Sequence, residues 1–306
     1  MIPRQTTPPP VTGFSFSPGG LLLPYHVGVM EALVYNGQVQ SDTPIAGSSA
    51  GSIAVAAHAC GASGPQILDI TSQIADECRT LGGARGRLLP LLRKALDDVI
   101  TEHAFEQFQS RPGTVAIAYQ EVFPFYRSQH QTSFEDVQDL KTAICHSSTF
   151  PFFTTNWPVA MCTARGGIPR LVTDGFFAVP RTRFGCPDLE LAGIEVDREV
   201  LISVFPQDII GLDAVLPNNC ISPSLSEDDD DADESSSSSS NQSTIMRNLL
   251  RLATQPATSK EYHAVYESGW KDAERWCRNY SDDDGTAYSR EEQADMLSGS
   301  DDEFLL

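Results

Sequence analysis

Pro44-Ile45-Ala46-Gly47-Ser48-Ser49-Ala50-Gly51, followed by the alanine-rich run from Ser52 to Cys60, is the stretch on which the fold turns. Pro44-Ile45-Ala46 reads as a short buried strand, the glycine-flanked serines as a tight turn, and the alanine run as a helix. A serine at a sharp strand-to-helix turn has its hydroxyl held out of the sheet, and small flanking residues let the turn close without clashes. The helix that follows points free amides and the positive end of its dipole at the serine, where negative charge would develop. Gly47-x-Ser49-x-Gly51 therefore makes Ser49 a candidate nucleophile, with Gly47, Ser48, Ala50 and Gly51 forming its elbow.

Upstream, Val11 to Phe16 alternates apolar and small residues and is stopped by Ser17-Pro18-Gly19-Gly20, a strand ending in a glycine turn. Leu22, Leu23, Val27, Met30, Leu33 and Val34 follow at close to helical spacing, and Asn36-Gly37 supplies a left-handed stop. Two successive strand-turn-helix units imply parallel strands. Downstream, the pattern predicts helices from Ser63 to about Leu81, from Leu88 to Phe108 and from Phe134 to Cys145. It predicts a pair of strands within Val115–Tyr126, and further strands at Val159–Cys162, Arg170–Thr173 and Glu199–Phe205. The alternation runs to about residue 212, which predicts an α/β domain with a mainly parallel central sheet flanked by helices.

The formal charge of -20 is local in origin. Glu227 to Glu234 holds seven acids, and Asp282 to Glu303 holds nine against one Arg, so fifteen of the twenty excess charges lie in two short runs. The remainder is ordinary for a soluble domain, and nothing here would neutralise phosphates, which argues against nucleic acid as a partner. Ser222 to Ser243 and residues 281–306 have little apolar content to offset the entropy of ordering. They are expected to be a disordered insert and a loose tail around helices at Ile245–Ala253 and Ser259–Tyr280, with residues 1–10 a proline-rich disordered lead. The folded unit is then 11–280. Seven scattered cysteines without zinc-type spacing read as reduced, mostly buried thiols. Without a secretory start or a run of about 20 apolar residues, the expectation is an intracellular, cytosolic chain, with a plastid address left open. Ser226 and Ser235–Ser240 beside the acid run would suit an acid-directed kinase, or be a solvated linker.

The elbow alone does not name the base. In the α/β-hydrolase plan the nucleophile follows several strands and needs a later histidine. Here one strand and one helix precede Ser49, and none of the six histidines carries a motif: His26 and His58 fall in apolar helical stretches, and His103, His130, His146 and His263 in polar or helix-end contexts.

Gly19-Gly20, then Gly47-Ser48-Ser49-Ala50-Gly51, then Asp174-Gly175, in that order, resemble the patatin-like phospholipase family, closest in flavour to the triglyceride-lipase and adiponutrin branch and its algal-type relatives. Pro24–Val29, Ser147–Phe153 and Glu267–Ala273 resemble further segments of that family, so that the likeness covers about 11–280. The resemblance implies a patatin-like three-layer fold and a Ser49–Asp174 dyad with no metal or other cofactor. It also implies an oxyanion hole from the amides of Gly19 and Gly20. A carboxylate is a weak base at a pKa near 4 unless burial raises it. Three departures stand out: Pro18 replaces a glycine and removes one donor, Leu21–Leu23 replace a basic residue, and Phe176 replaces a second glycine after Asp-Gly.

Leu21–Leu23, Phe150-Pro151-Phe152-Phe153 and Trp157 would line an acyl channel or its mouth, or simply pack. The resemblance implies hydrolysis of glycerolipid esters, as phospholipase or acylglycerol lipase, with transient peripheral contact to a membrane or lipid droplet. Two other readings use the same residues: acyl transfer to an alcohol or lysolipid, and a catalytically impaired lipid-droplet or partner-binding relative.

Overall fold

β1 (Thr12–Phe16) and β2 (Ile45–Ser48) pair in parallel, with Phe14 opposite Ile45 and Phe16 opposite Gly47. In the computed structural model, which describes residues 11–162, 169–212, 215, 217–223 and 238–284, they form the middle of an eight-stranded mixed sheet. Between them a 3-10 turn (Gly20–Leu22) leads into α1 (Leu23–Tyr35), closed by Asn36 and by Gly37 at φ 70°. After β2 come α2 (Ala50–Ala59), α3 (Gly64–Thr80), α4 (Leu88–Val99) and α5 (Glu102–Ser110). The long β3 (Val115–Phe123), β4 (Arg127–Gln131), α6 (Val137–Ser147), β5 (Ala160–Cys162) and β6 (Arg170–Thr173) follow. β7 (Arg198–Ile202), α7 (Gln207–Ile210), β8 (Cys220–Ile221), α8 (Ser238–Thr254) and α9 (Ser259–Asp284) complete the chain. The sheet order is β5-β6-β3-β2-β1-β7-β8, with β4 on the free edge of β3.

The sheet is built from strands with one large and one small face. Phe14, Phe16, Ile45, Val115, Ile117, Val200 and Ile202 face the main core, beneath the helical layer of α1, α2, α6 and α9. Gly13, Ser15, Ala46 and Ala116 face the other way, and here the covering layer is thin: Leu189, Ile194 and Val196 lie directly on the small residues. The expected α/β architecture with a mainly parallel sheet is what forms, with layers of unequal thickness.

Four expectations need correction. The helix read as Leu88–Phe108 is two helices, because Thr101 stops the first and caps the second, its Oγ1 accepting the Ala104 N–H at 3.3 Å. The strand pair read within Val115–Tyr126 is one strand there; its partner, the polar Arg127–Gln131, has no apolar alternation to signal it. β8 is two residues long and carries no signal of its own. α8 starts at Ser238, inside the segment expected to be disordered, because extending an existing helix costs far less than starting one. α9 likewise runs on to Asp284. The rest of the acidic insert with Ser226, the 1–10 lead and residues 285–306 lie outside the described residues.

α1 and α9 make the closest helix pair, through glycines. A Cβ on Gly28 would collide with the Tyr266 carbonyl oxygen, and one on Gly269 with that of Tyr25. Across the same contact Tyr25 donates to Asp272 Oδ2 at 2.9 Å. Among the described residues no helix is long and apolar enough to cross a membrane. Alanine normally stabilises a helix interior by ~0.5–1 kcal/mol over glycine. Gly28→Ala should do the reverse, lowering stability by about 1–3 kcal/mol as α9 is pushed off α1, read as a drop in thermal midpoint.

Candidate active site

The register of β3 brings Ser49 and Asp174 together. Ile117 and Ala118 pair with both β2 and β4, while Gln120 and Glu121 pair with both β4 and β6. A strand has two edges, so β2 and β6 share the edge opposite β4. β2 runs parallel to β3 and ends with Ser48 opposite Ala118; β6 runs antiparallel and ends with Thr173 opposite Gln120. The two strands meet head-on, one β3 residue apart, and each leaves the sheet at the junction: β2 into Ser49, β6 into Asp174. Gly175 makes the approach possible, because a Cβ there would strike the Ala118 carbonyl oxygen and crowd Ser48 Cβ at 2.5 Å.

Ser49 has φ 51° and ψ −121°, a conformation that costs a non-glycine residue on the order of 1–3 kcal/mol. Its neighbours hold it there. Side chains at Gly47 and Gly51 would run into the backbone of Gly51 and Phe16 respectively, so both elbow glycines answer to contact rather than to φ. The Ser49 N–H donates to Ser147 Oγ at 2.8 Å, and Ser147 donates onward to the Ala118 carbonyl at 2.6 Å. Ser48 turns to the opposite face and donates to the Gly185 carbonyl, while Ser52 donates to the Ser49 carbonyl at 2.7 Å. Ala50 opens α2, so Ser49 sits at the N-terminal end of that helix.

Asp174 is completely buried. Its N–H donates to the Thr149 carbonyl at 2.9 Å and its Oδ1 accepts the Phe176 N–H at 2.9 Å, leaving Oδ2 buried without a hydrogen bond. Burial raises its pKa from 3.8 to about 7, against the opposing pull of the Phe176 amide and the Ser49 side chain. Ser49 thus stands beside the carboxylate, short of a formed hydrogen bond.

The Ser17–Gly20 loop lies against the start of α2, Ser17 accepting the Gly51 N–H at 3.2 Å. His26, fully buried on α1, holds the loop by donating from Nε2 to the Ser17 carbonyl at 2.7 Å. Burial lowers its pKa to about 4, so the ring is neutral. Pro18 packs its ring on Gly185, which at φ 76° has no Cβ to obstruct it. Gly20 has φ 55°, and a Cβ there would meet the Ala253 carbonyl oxygen of α8 at 2.5 Å. Among the described residues, the N–H groups of Gly19 and Gly20 donate to no other protein group. The donor lost at Pro18 therefore leaves two free donors beside the serine.

Ser49 opens on an apolar cleft of about 540 Å³, its mouth included, lined by Leu21, Leu23, Ile53, Ile74, Leu88 and Leu92. Of the residues expected to line it, Leu21 and Leu23 do, whereas Leu22 is wholly buried in the main core. Phe150 and Phe153 lie alongside in an aromatic array that continues through Phe176, Phe177 and Phe184 to Phe205. Phe176 is accounted for by that packing. Trp157 and Phe152 are exposed on the surface.

No histidine hydrogen-bonds to Ser49 or Asp174 among the described residues. No group of His, Cys, Asp and Glu suited to a metal ion occurs among them either. The seven cysteines are free and buried. The residues that sequence reasoning passed over are those that brace the site: Ser147, His26, Thr149 and Gly185. Ser147 and Thr149 lie in the segment 147–153 and His26 in 24–29, both of which resemble family segments, but the resemblance assigns them no role; Gly185 is ordinary until the fold brings it in.

Ionising Asp174 in place costs stability. The cost is absent below about pH 4, grows as pH rises from 3.8 toward about 7, and is complete above that, on the order of 4 kcal/mol. Asp174→Asn should therefore unfold at a higher temperature than the parent at pH 8 and show a smaller gain at pH 5. Any reaction that needs the carboxylate as base should gain rate with pH through an apparent pKa near 7, measured as kcat/KM.

A family model described as Patatin-like phospholipase matches residues 14–180, more than half of the chain, and the match takes in Gly19, Gly20, the elbow and Asp174-Gly175. No curated protein matches the chain.

Proposed function

Because the chain belongs to the patatin-like phospholipase family and so to a family of lipid acyl hydrolases, we propose that it cleaves the carboxylic esters of glycerolipids through Ser49 and Asp174. The observation that carries this reading is the buried Asp174 Oδ2, which lacks a hydrogen bond beside a strained serine that lines an apolar cleft. A carboxylate with a pKa of about 7 is a far better base than an exposed one.

In the proposed cycle Asp174 takes the Ser49 proton as Oγ attacks the ester carbonyl. The Gly19 and Gly20 amides, and the N-terminus of α2, stabilise the oxyanion. Asp174 then protonates the leaving alcohol, and a water activated by the same carboxylate hydrolyses the acyl-enzyme. Two free amides beside Ser49 support a working site in spite of Pro18.

Peripheral docking to a lipid surface is supported by exposed apolar side chains at and around the β3-β6-β5 end of the sheet. β3 overruns its pairing with β2 and ends at Phe123, which stands in cross-strand register with Leu171 and, beyond it, Met161. Phe123, Phe125, Tyr126, Trp157 and Met161 are all exposed.

Ser49→Ala should reduce ester hydrolysis by roughly a thousandfold or more and abolish labelling by a fluorophosphonate, with the fold retained. A variant that hydrolyses esters as fast as the parent removes the reading. Phe125→Ala with Trp157→Ala should weaken co-sedimentation with phosphatidylcholine vesicles while leaving turnover of a soluble butyrate ester near the parental rate.

A further inference from the structure

A second cavity lies in line with the first. The cleft at Ser49 is walled by Leu23 of α1, Ala50 and Ile53 of α2, and Thr71 and Ile74 of α3. A larger groove, about 910 Å³ with its open mouth, continues along the same three helices one turn further on. Val27 and Met30 line it from α1, Ala54 and Ala57 from α2, and Gly64 and Ile67 from α3. It ends at Trp270 of α9. Between the two cavities, Leu23, Val27, Ala54 and Ile67 belong to one small apolar cluster, separate from the main core.

The shape follows from α2. Toward this trench it presents Ala50, Ala54 and Ala57, side chains that stop at Cβ over two turns, or ~10 Å of helix, with Ile53 and His58 at the two ends. Of the polar side chains on the outer groove, Glu31 is committed, accepting the Gly64 N–H at 2.6 Å and the Tyr266 hydroxyl, and His58 is kept neutral by burial, its pKa lowered to about 4. The rest of the lining is mainly apolar, so what it chiefly offers an occupant is hydrocarbon contact.

We propose that the two cavities are one acyl track, in which the carbonyl end of a long chain lies at Ser49 and its methyl end in the groove at Trp270. Leu23, Val27, Ala54 and Ile67 are the partition that a long chain must pass and a short chain never reaches. The partition residues thereby set chain-length preference. This rests on the hydrolase reading above for the position of the carbonyl, but the groove itself is testable without turnover.

The experiment has two arms. In the first, kcat/KM is measured for butyrate and palmitate p-nitrophenyl esters in the parent, Ala57→Leu and Ile67→Ala. Filling the groove in Ala57→Leu should lower the palmitate-to-butyrate ratio about tenfold, and opening the partition in Ile67→Ala should raise it. In the second, Trp270 reports binding in the Ser49→Ala background: palmitate should shift the tryptophan emission, butyrate should not, and the shift should vanish in Trp270→Phe. Unchanged ratios in both variants together with no Trp270 response overturn the track, whether the groove is then empty or takes a partner's helix. An intact palmitate shift with neither ester hydrolysed by the parent overturns the catalytic reading and leaves the track standing.

Discussion

One edge of β3 carries both halves of the candidate site. Because Ala118 and Gln120 are held by β2 and β6 coming from opposite directions, the ends of those strands cannot avoid each other, and Ser49 and Asp174 are what each strand places at its end. Everything else around the junction can be read as making that collision tolerable. Gly175 removes a side chain where Ser48 must pass, and Ser147 ties the elbow to β3 through two hydrogen bonds. Thr149 holds the Asp174 backbone. The strained φ of Ser49 and the buried carboxylate are both unfavourable locally, and both persist because the surrounding backbone leaves them no alternative.

The matched family segment ends at residue 180, yet the site is completed by chain that follows it. Gly185 receives Ser48 on one side and the Pro18 ring on the other. α8 sets the Ala253 carbonyl over Gly20, and α9 locks α1, the helix from which His26 grips the glycine loop. The loop that offers its free amides is thus held from below by a neutral histidine and from above by a helix more than 200 residues later. Pro18, which removes a donor, also contributes stiffness: its ring is wedged where glycine would leave a gap.

The thin face and the thick face of the sheet divide the work. Small residues on one side let the Leu189–Val196 segment press close, while large ones on the other support the helical layer in which the apolar trench runs. Within that layer α2 turns Ala50, Ala54 and Ala57 toward α1 and α3, which leaves space between the three helices. Short side chains on the helix that follows Ser49 serve the elbow, where bulk would clash, and the trench, where bulk would fill it.

Much of this was legible beforehand. Strand, turn and helix at 44–60, the glycine turn at 17–20 and the helix stop at Asn36-Gly37 follow from short-range rules of turn chemistry and periodicity; Ser49 stands out as a candidate by its elbow, whereas Asp174 is singled out only by the resemblance of the ordered motifs to a family. The break at Thr101 was also visible in principle, as a capping residue inside a helical pattern. The polar strand Arg127–Gln131 was not, since pairing with β3 rather than its own pattern makes it a strand. Nor could the chain in one dimension say that Asp174 is dry, that its pKa is lifted to about 7, or that the alanines of α2 line a cavity rather than a core. Local conformation is decided by neighbours in sequence, whereas desolvation, register and empty space are properties of segments that meet only when the sheet closes. Ser49 and Asp174 lie 125 residues apart, and β3 is what brings them to one place.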